Sequence, residues 1–161
     1  MGHNIIGLIG APAALLRIGE KAGAPPPTAL PFDLAIIPLG ETQLDRLTQE
    51  SASRYDEDFI YLSVELETAI GAAAADHPLL YIETDYFGGM GGQGAALFER
   101  GTLAWKDALR DGEKAQVKSP ISQGLSRLGV TAADGSDEFD ALGLGHFRNM
   151  ETLGLAYDDG D

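Results

Sequence analysis

Apolar positions recur along the chain with two periods, near two and near 3.6 residues, and the switches between them set out the elements. "NIIGLI" (Asn4 to Ile9) is a short apolar run rich in β-branched residues and reads as a buried strand. "AALLRIGEKAG", after Pro12, reads as a short helix ending at Gly23. Residues 19–32 close with "APPPTALP", whose three consecutive prolines fit neither a helix interior nor a central strand, so a surface connector is expected there. It is too short and too close to the start of the chain to divide two domains. "DLAIIPL" (Asp33 to Leu39) is a second buried strand, and "GETQLDRLTQE" is a helix whose Leu44 and Leu47 share a face.

A longer helix is expected from about Asp56 to Ala75, because Phe59, Leu62, Leu66 and Ile70 recur every three to four residues. Asp56, Glu57 and Asp58 would then lie in its first turn, where the helix dipole favours negative charge. "HPLLYIETDYF" (His77 to Phe87) is the clearest strand, and "GAALFERGTLAW" predicts a hairpin turning at Arg100-Gly101, followed by a charged loop, "KDALRDGEKAQVK". "SPISQGLSRLGV" carries full helix punctuation: Ser119 as N-cap, Pro120 at the first position, and Gly129 as a left-handed terminator. A short helix capped by Ser136 or Asp137 follows in "SDEFDALGL", and residues 156–161 read as a frayed tail. The pattern predicts a single α/β domain over residues 1–161, with α+β also compatible. Its core is a mixed β-sheet of about five strands with helices packed against it.

At 161 residues, 44% apolar and 22% charged, the chain can bury a core of ordinary size. It has no cysteine, which excludes disulfides, thiolate metal sites and thiol nucleophiles. No secretory signal and no apolar stretch of about 18 residues is visible, so a cytoplasmic location without a membrane anchor is expected. Charge changes the picture most: 25 acids against 11 bases give a net of −14. Nucleic acid and anionic membranes are disfavoured partners, since both recruit Lys and Arg. The surplus falls in two blocks. Residues 33–85 hold twelve acids and two arginines, and residues 134–161 hold eight acids and one arginine. Solubility alone would account for such acidity; the sharper reading is a basic partner steered in over long range.

Five glycines, Gly88, Gly89, Gly91, Gly92 and Gly94, occupy seven positions after the His77–Phe87 strand. "GMGGQG" formally satisfies the dinucleotide fingerprint, but only a turn and a half of possible helix follows before Arg100-Gly101, and no βαβ unit surrounds it. A mechanical role in bending or closely pairing strands is the preferred reading. Strand alternation puts Glu83 and Asp85 on one face and Thr84 and Tyr86 on the other. His3, His77 and His146 are scattered without metal-site spacing, although His146 and Arg148 could share a small polar site. "DGSDEFD" fails as a calcium loop because Phe139 stands where glycine is required. There is no G-x-S-x-G elbow.

Through "YIETDYFGGMGGQGAALF", with "LSRLGV" and "DEFDALGLGHFR" downstream, the C-terminal half resembles small uncharacterised bacterial proteins with a Y-x-E-T-x-Y-F-G-G-type stretch. That resemblance implies no activity. In size and acidity the chain is similar to immunity proteins that neutralise bacterial toxins, a likeness of type rather than motif. The expected function is a non-enzymatic protein, without cofactor or metal, that occludes a basic toxin or effector as a monomer or homodimer. Its partner-binding residues are expected among Glu65, Glu67, Glu83, Asp85, Asp137, Glu138 and Asp140, with Tyr55 and Tyr61 as anchors. The alternative is a small enzyme or ligand-binding domain sited at Glu83, Asp85 and the Gly88–Gly94 loop.

Overall fold

The computed structural model describes residues 2–87, 90–110 and 118–155, with backbone alone for Phe87 and Met90. In chain order the elements are β1 (His3–Gly10), α1 (Pro12–Ala22), β2 (Thr28–Leu30), β3 (Leu34–Pro38), α2 (Glu41–Thr48), α3 (Val64–Ala73), β4 (Leu79–Phe87), β5 (Met90–Glu99), β6 (Thr102–Leu109), α4 (Pro120–Arg127) and α5 (Glu138–Leu142). Two short 3-10 turns, Leu144–His146 and Met150–Leu153, end the described chain.

The architecture is α/β, with six strands where about five are expected, in the order β2-β3-β1-β4-β5-β6. Each neighbouring pair is antiparallel. β3 and β4 nevertheless run the same way, because both lie antiparallel to β1. The connection through α2 and α3 that joins them therefore spans an inserted strand.

Helices cover both faces, which explains why β1 and β4 read as nearly continuous apolar runs rather than strict alternations. On one face, Leu8, Leu79, Tyr81, Ala96 and Phe98 pack with Leu15 and Ile18 of α1, Leu47 of α2, and Leu66 and Ile70 of α3. On the other, Ile5, Ile9, Leu80, Ile82 and Leu97 pack with Ile121 and Leu125 of α4 and Leu142 of α5. The caps follow the sequence: Ser119 accepts from the Ser122 amide, Asp137 accepts from the Asp140 amide, and Gly23 closes α1 in the left-handed region.

Three expectations change. The long helix begins at Val64, not Asp56, with Ser63 as its N-cap, so Asp56, Glu57 and Asp58 belong to a loop. The 19–32 connector contains the end of α1 and the edge strand β2, which pairs with β3 just past the prolines. The glycine run is mostly strand: Gly91, Gly92 and Gly94 lie within β5, whereas Gly88 and Gly89, like the 156–161 tail, fall outside the described residues.

Close approach explains these glycines. A Cβ on Gly91, whose φ is 131°, would sit 1.7 Å from the Asp85 carbonyl oxygen, and one on Gly94 would sit 2.5 Å from the Phe59 ring. Gly91→Ala is therefore expected to destabilise the fold by more than about 3 kcal/mol, because it combines overpacking against backbone with a strained φ. Gly94→Ala should cost about 1–3 kcal/mol, since a ring can shift. Urea denaturation of both variants checks the order.

Candidate functional site

The segment from Ser53 to Ser63, which leads into α3 at Val64, has no helix or strand of its own, so its backbone groups need partners from elsewhere. Its ends close on each other: the Val64 amide donates to the Arg54 carbonyl at 2.9 Å, and the Asp56 amide donates to the Leu62 carbonyl at 2.8 Å. An Asx turn, in which the Asp58 amide meets Asp56 Oδ1 at 2.8 Å, tightens the bend. Phe59 plugs into the core, its ring 6.4 Å from Tyr81 and seated over the bare backbone of Gly94.

The tip of this loop is held by Glu83, which is only 4% exposed. Its Oε1 accepts from the Ile60 amide at 2.7 Å, and its Oε2 accepts from the amides of Tyr61 at 2.8 Å and Leu62 at 3.0 Å. Tyr81 donates its hydroxyl to Oε2 at 2.6 Å. These charge-assisted bonds from amides and a phenol offset the desolvation of the carboxylate, and no ion pair joins it among the described residues. Burial, with Glu83 beside it, pushes the Tyr81 hydroxyl well above the usual phenol range, so it remains a donor.

Surface charges brace the loop's flanks. Glu65 accepts from Arg54 Nε at 2.9 Å and from the Ser53 and Arg54 amides. The Arg54 guanidinium, helped by those amides, lowers the Glu65 carboxyl to about 2. Lys106 on β6 bridges Asp56 at 2.6 Å and Glu67 at 3.0 Å. Partial burial opposes the Asp56 charge, but Lys106 and the Asp58 amide outweigh it and hold the group below its ordinary value.

What the loop turns outward is apolar and aromatic. Tyr55 is 55% exposed and Tyr61 44%, with Ile60 and Val64 exposed beside them. Between this loop and α2 lies a groove of about 520 Å³, walled by Tyr55, Tyr61, Glu41, Asp45, Leu44 and Met150. Among the described residues, no basic side chain lines it. Tyr61, Ile6 and Met150 also line an adjoining hollow of about 270 Å³, which reaches Asp85.

The residues expected to bind a partner thus separate. Tyr55, Tyr61 and exposed Asp85 border this surface, Glu65 and Glu67 support its base, and Glu83 is turned inward with both oxygens engaged. Asp137, Glu138 and Asp140 lie across the sheet on α5: Asp137 is an N-cap, Glu138 is buried against Lys118 at 2.8 Å, and Asp140 is exposed. Lys118 keeps the Glu138 carboxyl below its usual range. Asp137, Glu138 and Asp140 therefore do not share a face with Glu65, Glu67 and Glu83. His77 and His146 are exposed, and His3 is half-buried on β1. Among the described residues, no group of three metal-ligating side chains gathers and no helix is long and apolar enough to cross a membrane.

Glu41, Asp45 and Ile60 were not anticipated as site residues. The acids Glu65 and Glu67 just after Ser63 are the signal that could have placed the helix start, and with it the exposed loop. Compared with models of known families, with curated proteins and with solved structures, the chain has no match.

Glu83→Gln leaves one acceptor oxygen and turns an amide group toward backbone N–H donors. It should cost about 3 kcal/mol, read from chemical denaturation. For Glu65 the folded pKa, about 2, lies below the ordinary 4.5. Its contribution is therefore present above the unfolded value and lost as pH falls from 4.5 toward 2. The stability gap between wild type and Glu65→Gln should close over that window, as measured by denaturation at stepped pH.

Proposed function

We propose that the protein is a non-enzymatic acidic binding protein of the immunity or inhibitor type, which docks a basic toxin or effector and occludes its active site. The observation that carries this reading is the groove between α2 and the 53–64 loop. Two tyrosines and two carboxylates, Glu41 and Asp45, face a space of about 520 Å³ with no cation on its walls among the described residues. A Lys or Arg side chain suits such a wall, because a tyrosine face attracts the cation and a carboxylate accepts its hydrogens.

The surroundings favour a protein partner. Ile60 and Val64 extend the exposed apolar surface beyond one side chain. Aromatic anchors held on a rigid backbone lose little entropy on binding, and the net charge of −14 draws a basic protein toward them. Glu83 serves this surface by fixing the loop rather than by touching the partner. The rival reading, acid–base chemistry at Glu83 and Asp85, is less favoured because both Glu83 oxygens are already occupied.

The test is affinity purification from the source cell, followed by binding and inhibition assays with the recovered partner. A basic protein whose own activity falls on addition of this chain is expected. Tyr61→Ala should weaken the complex by roughly 30-fold, about 2 kcal/mol, without lowering the melting midpoint by more than a few degrees. The double change Glu41→Gln with Asp45→Asn should mainly slow association, by about three- to tenfold, and flatten its salt dependence. An acidic partner, or binding unchanged in Tyr55→Ala with Tyr61→Ala, would overturn the reading.

A further inference from the structure

Hollows lie on both faces of the sheet. The one beneath α4 and α5, about 410 Å³, is walled by His3, Thr84, Tyr86 and Phe139 among others. There the His3 ring and the Thr84 hydroxyl already satisfy each other at 2.7 Å. Around the 53–64 loop the carboxylates are less committed, and their spacing bears on how a basic partner is held.

The groove beside α2 and the hollow next to it, about 520 and 270 Å³, share Ile6, Tyr61 and Met150. They form one trough past the loop tip, with those three side chains as an apolar floor at its middle. Glu41 and Asp45, one helical turn apart on α2, mark one end, and Asp85 on β4 marks the other. All three are exposed, and none has an ion pair among the described residues. The nearby cations are turned elsewhere. Arg46 of α2 packs its guanidinium over Gly23, at the end of α1. Arg110 lines the next hollow beyond Asp85 and reaches toward Asp58 at 3.8 Å, which closes that side to a further cation.

Sheet geometry sets the length. Leu39, the residue after β3, donates its amide to the Ile6 carbonyl at 2.7 Å, and Ile6 lies opposite Glu83 of β4. Asp85 is two residues further along β4, opposite Asn4. Two strand spacings and two residues of rise put Leu39 and Asp85 about 12 Å apart. Glu41 opens α2 two residues after Leu39. An extended chain covers about 12 Å in roughly four residues, and residues four apart on it point to the same side. The exposed Asn4 side chain, on β1 between the two ends, offers such a chain a donor and an acceptor.

We infer that the trough holds an extended segment of the basic partner, with two Lys or Arg side chains four residues apart. One cation meets Glu41 and Asp45 beside Tyr55, the other meets Asp85, and an apolar residue between them lies over Ile6, Tyr61 and Met150. A basic partner docked on this surface is presupposed, as in the preceding reading; what is added is the part of it that is recognised and the spacing. A linear polyamine carries similar charges but has no side chain for the apolar floor and no backbone for Asn4.

Fluorescence anisotropy with labelled twelve-residue peptides tests this. All have one composition, two Arg, one Leu and otherwise Gly and Ser, with the arginines one, four or eight residues apart; a single-Arg peptide and spermidine serve as controls. The four-residue spacing should bind at least fivefold more tightly than the other two. Asp85→Asn should remove that preference while leaving the single-Arg peptide within twofold and the melting midpoint within a few degrees. The comparison of spacings on the unaltered protein needs no variant to fold. Equal binding at all three spacings, no binding of any peptide at millimolar concentration, a preference that survives Asp85→Asn, or spermidine bound as tightly as the best peptide would overturn the extended segment. A recovered basic partner that loses affinity in Tyr61→Ala but not in Asp85→Asn would keep the groove as a docking surface and remove the segment alone. A partner indifferent to Tyr55→Ala with Tyr61→Ala would remove both.

Discussion

A buried carboxylate with no cation beside it among the described residues is the constraint on which the rest of this structure depends. Desolvating Glu83 alone would be prohibitive, and its four donors, three consecutive amides and one phenol, make it tolerable. The exchange is mutual. The amides of Ile60, Tyr61 and Leu62 have no secondary-structure partner and would otherwise be orphaned at the edge of the core. Each side satisfies the other, so neither persists alone. A loop held in this way can expose tyrosines at fixed positions, whereas a loop held only by surface charges would not.

The acidity is handled by two different means. Asp56, Glu65, Glu67 and Glu138 are consumed in pairs with Lys106, Arg54 and Lys118, which leaves little local field at those points. Glu41, Asp45 and Asp85 stand exposed around the groove and its adjoining hollow. Net charge therefore overstates what a partner would meet in some places and describes it well in others. Surface pairs of this kind contribute little to stability individually. Those at Asp56, Glu65 and Glu67 register the loop against α3 and β6, whereas Lys118 with Glu138 ties the start of α4 to α5.

Much of the fold was legible because local rules agreed with the tertiary outcome. The apolar runs of β1, β3 and β4, the Arg100-Gly101 turn with both residues at positive φ, and the Ser119-Pro120 start of α4 all follow from neighbours in sequence. The misreadings arose where a distant residue decided. Phe59 and Leu62 carry helical spacing with Leu66 and Ile70, and all four are buried, but the first two are buried by a loop that Glu83 ties down from over twenty residues away. β2 was hidden by prolines that an edge strand tolerates just before it begins. As for the site, Tyr55 and Tyr61 were visible as candidates, while the groove's Glu41 and Asp45 come from a helix whose packing against the loop no local pattern encodes.

Strand alternation links the two faces. On β4, Tyr81 and Glu83 point to the 53–64 loop, whereas Thr84 and Tyr86 point to the cavity beneath α4 and α5. A slip of one residue would place a carboxylate in the His3 pocket and a threonine beneath the loop, destroying both arrangements together. Glycines on β5 protect against that slip from the opposite side. Gly94 is the partner of Glu83 and leaves room for Phe59, and Gly92 lies so near the Leu109 carbonyl that a Cβ there would stand 2.5 Å from it. Gly91, Gly92 and Gly94 are thus the mechanical condition for carrying the 53–64 loop on one side of β4 and a cavity of about 410 Å³ on the other.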